Sequence, residues 1–324
     1  ATLDPRPLGT ASLGQAHAAT MRDGRAVVVK VLHSGIERSV DSDLLALRAV
    51  LLGTRAIRRS KVEMDGIFAE VRERLTEELD YLHEARNLVE FSQRFAGDDR
   101  IRVPGVIPEA CSERVLTMDR LHGVGIAEFA RTGTREAQER AGLTLGELHH
   151  LQAFRFRALH ADPHPGNYLF EPDGRVNLLD FGCVKRFDEH WIAAYARTAL
   201  AAQRGDRAET VRNAGLAGVW HGGSPEAEDL LWEFCETLSR PFRQERYRVG
   251  GSGDDVLDRL NSVTLRLMRH PDAIRAHRDL IYLHRSLGGI FVMIRDLRVE
   301  ADWWGLVRPH LQHAVDFAEG RAPA

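Results

Sequence analysis

Two acid-bearing motifs with a tight hairpin between them constrain this chain more than any other feature. His160-Ala161-Asp162-Pro163-His164-Pro165-Gly166-Asn167 reads as a loop, since two prolines and a glycine within eight residues interrupt both helix and strand. Two short apolar segments follow, Tyr168-Leu169-Phe170 and Val176-Asn177-Leu178-Leu179, joined by the turn sequence Pro172-Asp173-Gly174. Asp180-Phe181-Gly182 comes next, 18 residues after Asp162. The hairpin folds the chain back, so Asn167 and Asp180 are expected to meet as hard oxygen ligands for a cation. Asp162, at the start of the loop, is placed to orient a hydroxyl or accept its proton. Gly182 is expected to make a sharp turn that presents the Asp180 carboxylate.

Lys30 is the second constraint. Of the 44 basic residues only Lys30, Lys61 and Lys185 are lysine, so arginine is the default cation of the chain. Lys30 nevertheless sits in Ala26-Val27-Val28-Val29-Lys30-Val31-Leu32, a β-branched run that follows the hairpin signal Asp23-Gly24. On an edge strand such a lysine could snorkel to water. Inside a sheet, an uncompensated ammonium would cost several kcal/mol (about 2–7 for a buried polar group, more for a charge). It should then meet a carboxylate, a phosphate or both.

The rest of the chain alternates in a way that predicts an α+β protein in two lobes. Gly9-Thr10-Ala11-Ser12-Leu13-Gly14 reads as a small-residue loop ahead of an extended stretch, Gln15 to Met21. Val62 to Phe95 reads as one long helix, with Ile67, Val71, Leu75, Leu79, Leu82 and Val89 on a common face. Glu73, Glu77, Asp80 and Glu84 fall opposite that face, as a solvated acidic stripe or as part of a site. Arg114 to Leu121 is strand-like, Glu136 to Leu151 helical, and everything from Trp191 onward helical with breaks near 222–225 and 250–253. Trp303, Trp304 and Phe291 are expected in the core. The net charge of −3 gives no global field for nucleic acid. No apolar run approaches the ~20 residues of a membrane span, and no signal peptide opens the chain. The three cysteines lie 72 and 52 residues apart, which suits a reducing, cytoplasmic setting better than a disulfide scaffold.

The order H-x-D-x-x-x-x-N, then D-F-G, is that of kinase-like phosphotransferases. The chain as a whole resembles the UbiB/AarF/ADCK atypical kinases. Pro7 to His17 is similar to that family's alanine-rich nucleotide loop, with Gly9 and Thr10 in place of two of its three alanines. Glu78-Leu79-Asp80-Tyr81 resembles its ExD motif, and Glu84-Ala85-Arg86-Asn87 the helix whose glutamate pairs with the strand lysine. His284-Arg285-Ser286-Leu287-Gly288-Gly289 resembles a segment of its C-terminal helices. The resemblance implies a kinase-like fold, with a β-rich N-lobe over 1–121 and a helical C-lobe over 122–324. It implies Mg²⁺ and ATP as cofactors, with Gly9, Thr10, Ala11, Ser12 and Lys30 around the nucleotide and Met118 and Leu121 at the adenine. Asp162, Lys30 and Glu84 are implied to be catalytic, Asn167 and Asp180 to hold the metal, and Glu78 and Asp80 to form the ExD pair. A KxGQ motif is expected ahead of the nucleotide loop. None occurs here and the chain opens without methionine, as expected of a fragment or a processed chain.

The implied activity is a Mg-ATP-dependent kinase or ATPase in quinone or isoprenoid-lipid metabolism. A lipid or phenolic small molecule and a peripheral membrane or lipid-enzyme complex are the implied partners. A nucleotide-binding regulator that transfers nothing is a different class of reading. A third is a metallohydrolase built on His160, Asp162 and His164, with His149 or His150 as a further ligand.

Overall fold

The computed structural model describes residues 1–10, 13–36, 79–274 and 277–323. They form two compact units: Ala1–Asp98 with Arg102–His122 and Leu178–Cys183, and Asp99–Ile101 with Gly123–Asn177 and Val184–Ala324. The segment carrying Asp180-Phe181-Gly182 therefore packs with the first unit, although the hairpin leading to it begins in the second.

The first unit is built on an antiparallel sheet in the order β1 (Thr2–Thr10), β2 (Gly14–Thr20), β3 (Ala26–Leu32), β4 (Val115–Asp119). β1 was not expected, and its last two residues, Gly9 and Thr10, read as loop. Its pairing with β2 shifts register between Leu3 and Pro7 and again between Pro7 and Gly9. Pro5 and Pro7 can sit there only because β1 is an edge strand with irregular pairing. β3 is interior, with Lys30 opposite Ala16 on one side and Leu116 on the other. Gly14 is required by a close approach: a Cβ there would lie 2.6 Å from the Val31 carbonyl oxygen and 2.7 Å from the Tyr81 hydroxyl.

The long helix predicted from Val62 does not run through Asp80. Residues 37–78, including Glu78, lie outside the described residues. α1 (Tyr81–Arg94) begins afresh with Asp80 as an extended N-cap, whose carboxylate accepts from the Leu82 and His83 amides at 2.9 and 3.1 Å. Its buried face is Tyr81, Glu84, Ala85, Asn87, Leu88 and Phe91, while Val89 is exposed. Of the predicted face, Ile67, Val71 and Leu75 lie outside the described residues, and Val89 departs from it because α1 packs on the side that carries Glu84 and Phe91.

The second unit is mostly helical: α2 (Ile126–Thr132), α3 (Arg135–His150), α4 (Glu189–Arg204), α5 (Arg207–Leu216), α6 (Pro225–Ser239), α7 (Val256–Leu267), α8 (Arg278–Leu297) and α9 (Trp303–Ala318). Short strands β5 (Ala158–His160) and β8 (Val184–Arg186) pair antiparallel, and β6 (Tyr168–Phe170) leads through the Pro172–Gly174 turn into β7 (Val176–Leu178). α3 does not stop at His150 but widens into a π-helical turn, Leu151–Phe156, that ends on Arg157 with φ 51°. The core is formed by Phe154, Leu159, Trp191, Ile192, Leu283, Val307 and Leu311, with Trp304 packed against it. Among the described residues no helix is long and apolar enough to cross a membrane.

Candidate active site

In the first unit the structure brings Lys30, Glu84 and Asp180 together. The Lys30 Nζ donates to Glu84 Oε1 at 2.5 Å and to Asp180 Oδ2 at 2.6 Å. Lys30 and Glu84 side chains are 13% and 5% exposed, Asp180 36%. The acidic-stripe reading is thus overturned for Glu84, which lies on the buried face of α1. Because β3 is flanked on both sides, Lys30 is not the snorkelling edge lysine that its sequence allowed.

α1 also holds the segment after Asp180 by its backbone. Glu84 Oε1 accepts from the Phe181 amide at 3.3 Å, and Asn87 Nδ2 donates to the Phe181 carbonyl at 3.0 Å. The Phe181 ring is fully buried, 4.7 Å between centroids from Phe91. Asp180 Oδ1 accepts from the Gly182 amide at 3.0 Å. The chain bends at Gly182, as expected, though without a positive φ. A Cβ there would sit 3.4 Å from Asp180 Oδ1, an ordinary contact. Asn87 had no sequence signal beyond its place one turn after Glu84.

One cation shared by two carboxylates sets the electrostatics. Burial alone would push the Lys30 ammonium down, but Asp180 and Glu84 outweigh it and hold Lys30 well above the usual lysine range. Glu84 is pushed up to about 7, first by burial and then by the like charge of Asp180, against the attraction of Lys30. The fold therefore holds the Glu84 proton more tightly than the unfolded chain does. That contribution to stability is present below about 4.5 and is lost as pH rises through 7. The stability of the protein minus that of Glu84→Gln, measured by denaturant unfolding, is expected to fall between those limits. A flat difference would show that Lys30 keeps Glu84 ionised throughout.

The other nucleotide candidates are placed as follows. Gly9 and Thr10 end β1, paired with Ala16 and Gln15, while Ala11 and Ser12 lie outside the described residues. Met118 is buried in β4, and the next two amides are engaged, Asp119 with the Gly105 carbonyl and Arg120 with that of Ala26. Leu121 follows, half-buried. Asp80 spends its carboxylate on the cap of α1, with Arg86 3.5 Å away.

In the second unit the loop His160–Asn167 is fixed at both ends. Gln152, on the π-turn, accepts from the His160 amide at 2.9 Å. A widened turn here aims a side chain that a regular helix would place differently. Asn167 Nδ2 donates to Asp162 Oδ2 at 2.9 Å, which turns its own Oδ1 away from Asp162. The Arg285 guanidinium donates to Asp162 Oδ1 at 2.9 Å. Ser286 Oγ donates to the His160 carbonyl at 3.4 Å and pairs with His149 Nδ1 at 3.2 Å. Gly289 faces Pro163 so closely that a Cβ would come within 2.3 Å of the proline Cβ. Lys185 and Asp279 add an ion pair of 2.6 Å between β8 and the first turn of α8. The His284–Gly289 segment, noticed only as a resemblance, is thus the clamp on the loop. Arg285 itself, one arginine among 41, carried no separate signal.

The histidines do not form a metal centre. His150 Nδ1 donates to the Gly146 carbonyl at 3.0 Å, and His164 Nδ1 accepts from the Gly166 amide at 3.0 Å. Burial pushes His149 well below the usual histidine range and His150 down to about 4. Among the described residues no group of three or more His, Cys, Asp or Glu is arranged to hold a metal ion. Taken singly, the Asp180 carboxylate in the first unit and the Asn167 amide oxygen in the second are hard donors, of the kind that suits Mg²⁺ rather than zinc.

The chain as a whole is similar to known proteins. The family description "ABC1 atypical kinase-like domain" matches residues 1–214. The chain is 30% identical over 295 residues to the mitochondrial atypical kinase COQ8 of Saccharomyces cerevisiae, covering 90% of this chain and 58% of that protein. It is 30% identical over 328 residues to the probable protein kinase UbiB of Xylella fastidiosa, covering 97% and 57%. The complex structure of Rv3197–erythromycin from Mycobacterium tuberculosis shares the fold, with a TM-score of 0.70 at 24% identity over 94% of this chain and 76% of that one. The chain spans less than three-fifths of the length of these curated relatives.

Proposed function

The chain belongs to the ABC1 atypical kinase-like family, and on that premise we propose that it is a Mg-ATP-dependent kinase or ATPase serving quinone or isoprenoid-lipid metabolism. The observation that supports this most is the Lys30 ammonium held between Glu84 and Asp180. A lysine fixed by a glutamate is a positioned point charge for phosphate oxygens. Asp180 and Asn167 would hold Mg²⁺, which supplies neutralisation of phosphate charge. Gly9, Thr10, Ala11 and Ser12 would lie along the phosphates, and Met118 and Leu121 at the adenine. Asp162 orients the acceptor hydroxyl or water and takes its proton as the new P–O bond forms and the bond to the leaving diphosphate breaks. Asn167 and Arg285 hold that carboxylate in place. The acceptor is a lipid-linked hydroxyl or water, met at a membrane surface.

One observation favours the regulator that binds nucleotide without transfer. Both Asp162 oxygens are engaged, one by Arg285 and one by Asn167, so the carboxylate must shed a partner before taking a proton. Sustained phosphate release separates the two readings.

Binding itself is tested by thermal stability. Mg-nucleotide at 100 times its dissociation constant is expected to stabilise the protein by about 2.7 kcal/mol. Asp180→Asn should lose most of that gain while remaining folded, because Lys30 keeps Glu84 and the like charge that raises Glu84 is gone. Asn167→Ala should lose less, having removed a neutral oxygen. An undiminished Mg-nucleotide shift in Asp180→Asn would remove this assignment.

A further inference from the structure

Tyr81 is a buried side chain of the first unit to which the phosphotransfer reading gives no role. It opens α1, 9% exposed, and its amide donates to the Glu113 carbonyl at 3.0 Å, which ties it to the turn ahead of β4. Its hydroxyl reaches the sheet at Gly14, where a Cβ would lie 2.7 Å from the phenol oxygen. Gly14 stands two residues before Ala16, the partner of Lys30. In a pleated pair these positions share one face, so the phenol lies on the side of the sheet from which Lys30 projects. Glu84, three residues after Tyr81, comes off the same buried face of α1. Tyr81 therefore meets β2 where that strand leaves the small-residue loop, on the side of the sheet that carries Lys30.

Among the described residues the Tyr81 hydroxyl makes no hydrogen bond. The Glu84 and Asp180 carboxylates accept from Lys30 instead. Burial pushes the phenol up to about 12, with Lys30 acting against burial and Glu84 and Asp180 acting with it. At neutral pH it thus keeps its proton and remains a donor. A buried donor without a partner has lost its hydration with nothing in return, unless a ligand brings the acceptor.

We infer that the Tyr81 hydroxyl donates to a phosphate oxygen of the bound nucleotide, as a second binding group beside Lys30. This rests on the nucleotide reading above. Gly14 leaves the room for it, since any side chain at 14 would meet the hydroxyl. The probe is adenylyl imidodiphosphate with Mg²⁺, a triphosphate analogue that is not hydrolysed, titrated calorimetrically into the full chain. Tyr81→Phe keeps the ring and removes only the oxygen. Its unfolding midpoint without ligand should equal that of the wild type or exceed it, because no bond within the protein is lost. Its affinity for the analogue should fall by about tenfold or more, the usual worth of a hydrogen bond to a charged group. At saturation the ³¹P resonances of the bound analogue should differ between the two proteins, which a packing role alone would not produce. Affinity within about twofold of wild type, or identical ³¹P resonances, would overturn the Tyr81 assignment alone. A lowered midpoint without ligand would also overturn it, by giving the hydroxyl to the fold. No binding to the wild type would overturn the nucleotide reading, and this inference with it.

Discussion

Replacing Lys30 by methionine is expected to cost the protein about 3–5 kcal/mol of stability at pH 8, the range for breaking a buried ion pair by removing one partner. The reason is the geometry around Nζ, which lies within 2.6 Å of both Glu84 and Asp180. Without it, a buried carboxylate faces a second negative charge. The cost should shrink as pH falls, since Glu84 is already pushed up to about 7 and takes a proton more readily once the ammonium is gone. Lys30→Met with Glu84→Gln should therefore recover more than half of the loss. Denaturant unfolding of the single and double variants at pH 6 and pH 8 measures all of this. A single variant within 1 kcal/mol of wild type at pH 8 would mean that water, not Lys30, solvates the two acids. Lys30→Arg should retain part of the stability yet lose nucleotide affinity, because a planar fork does not fill the place of a point charge.

Asp162→Asn is expected to slow phosphate release by about 10²–10⁴-fold, the usual contribution of a positioned general base. The same variant should keep most of its Mg-nucleotide thermal shift, since Lys30 and Asp180 keep their contacts and only the bond between Asn167 and residue 162 is altered. Arg285→Ala gives the complementary control. Its ion pair with Asp162 is exposed, so stability should change by less than about 1 kcal/mol. Turnover, by contrast, should respond, because the carboxylate loses the group on its Oδ1. Steady-state phosphate release beside thermal melts reads both effects. Turnover in Asp162→Asn within threefold of wild type would sink the role given to this aspartate.

Elements that depend on neighbours in sequence were legible before the fold was known. The Asp23-Gly24 and Pro172-Asp173-Gly174 turns lie between paired or consecutive strands, and Gly24 and Gly174 take φ of 88° and 86° as such turns need. A charge within six apolar residues marked Lys30 for the same local reason. What escaped was decided at a distance. The register of α1 follows from Phe181, 97 residues beyond Glu84, whose amide and carbonyl dock on one side of the helix. Asp80 looked like one acid among four, yet its cap separates α1 from what precedes it. β1 is exposed along its whole length, so no alternation betrays it. The π-turn that aims Gln152 leaves no periodic trace, because one extra residue per turn shifts the pattern without changing its composition.

Gly289 and Pro163, 126 positions apart, have one combined allowance of space. Neither can be judged by its own tolerance, because a side chain at 289 fits only if residue 163 gives up its Cβ and becomes glycine, and the order in which such changes arise matters. A two-step exchange beginning at 289 passes through an overpacked intermediate. Beginning at 163, it passes through a gap, which the loop can partly close. The contact therefore fixes the order of sequence drift: position 163 must change first, and on the way back it must be restored last.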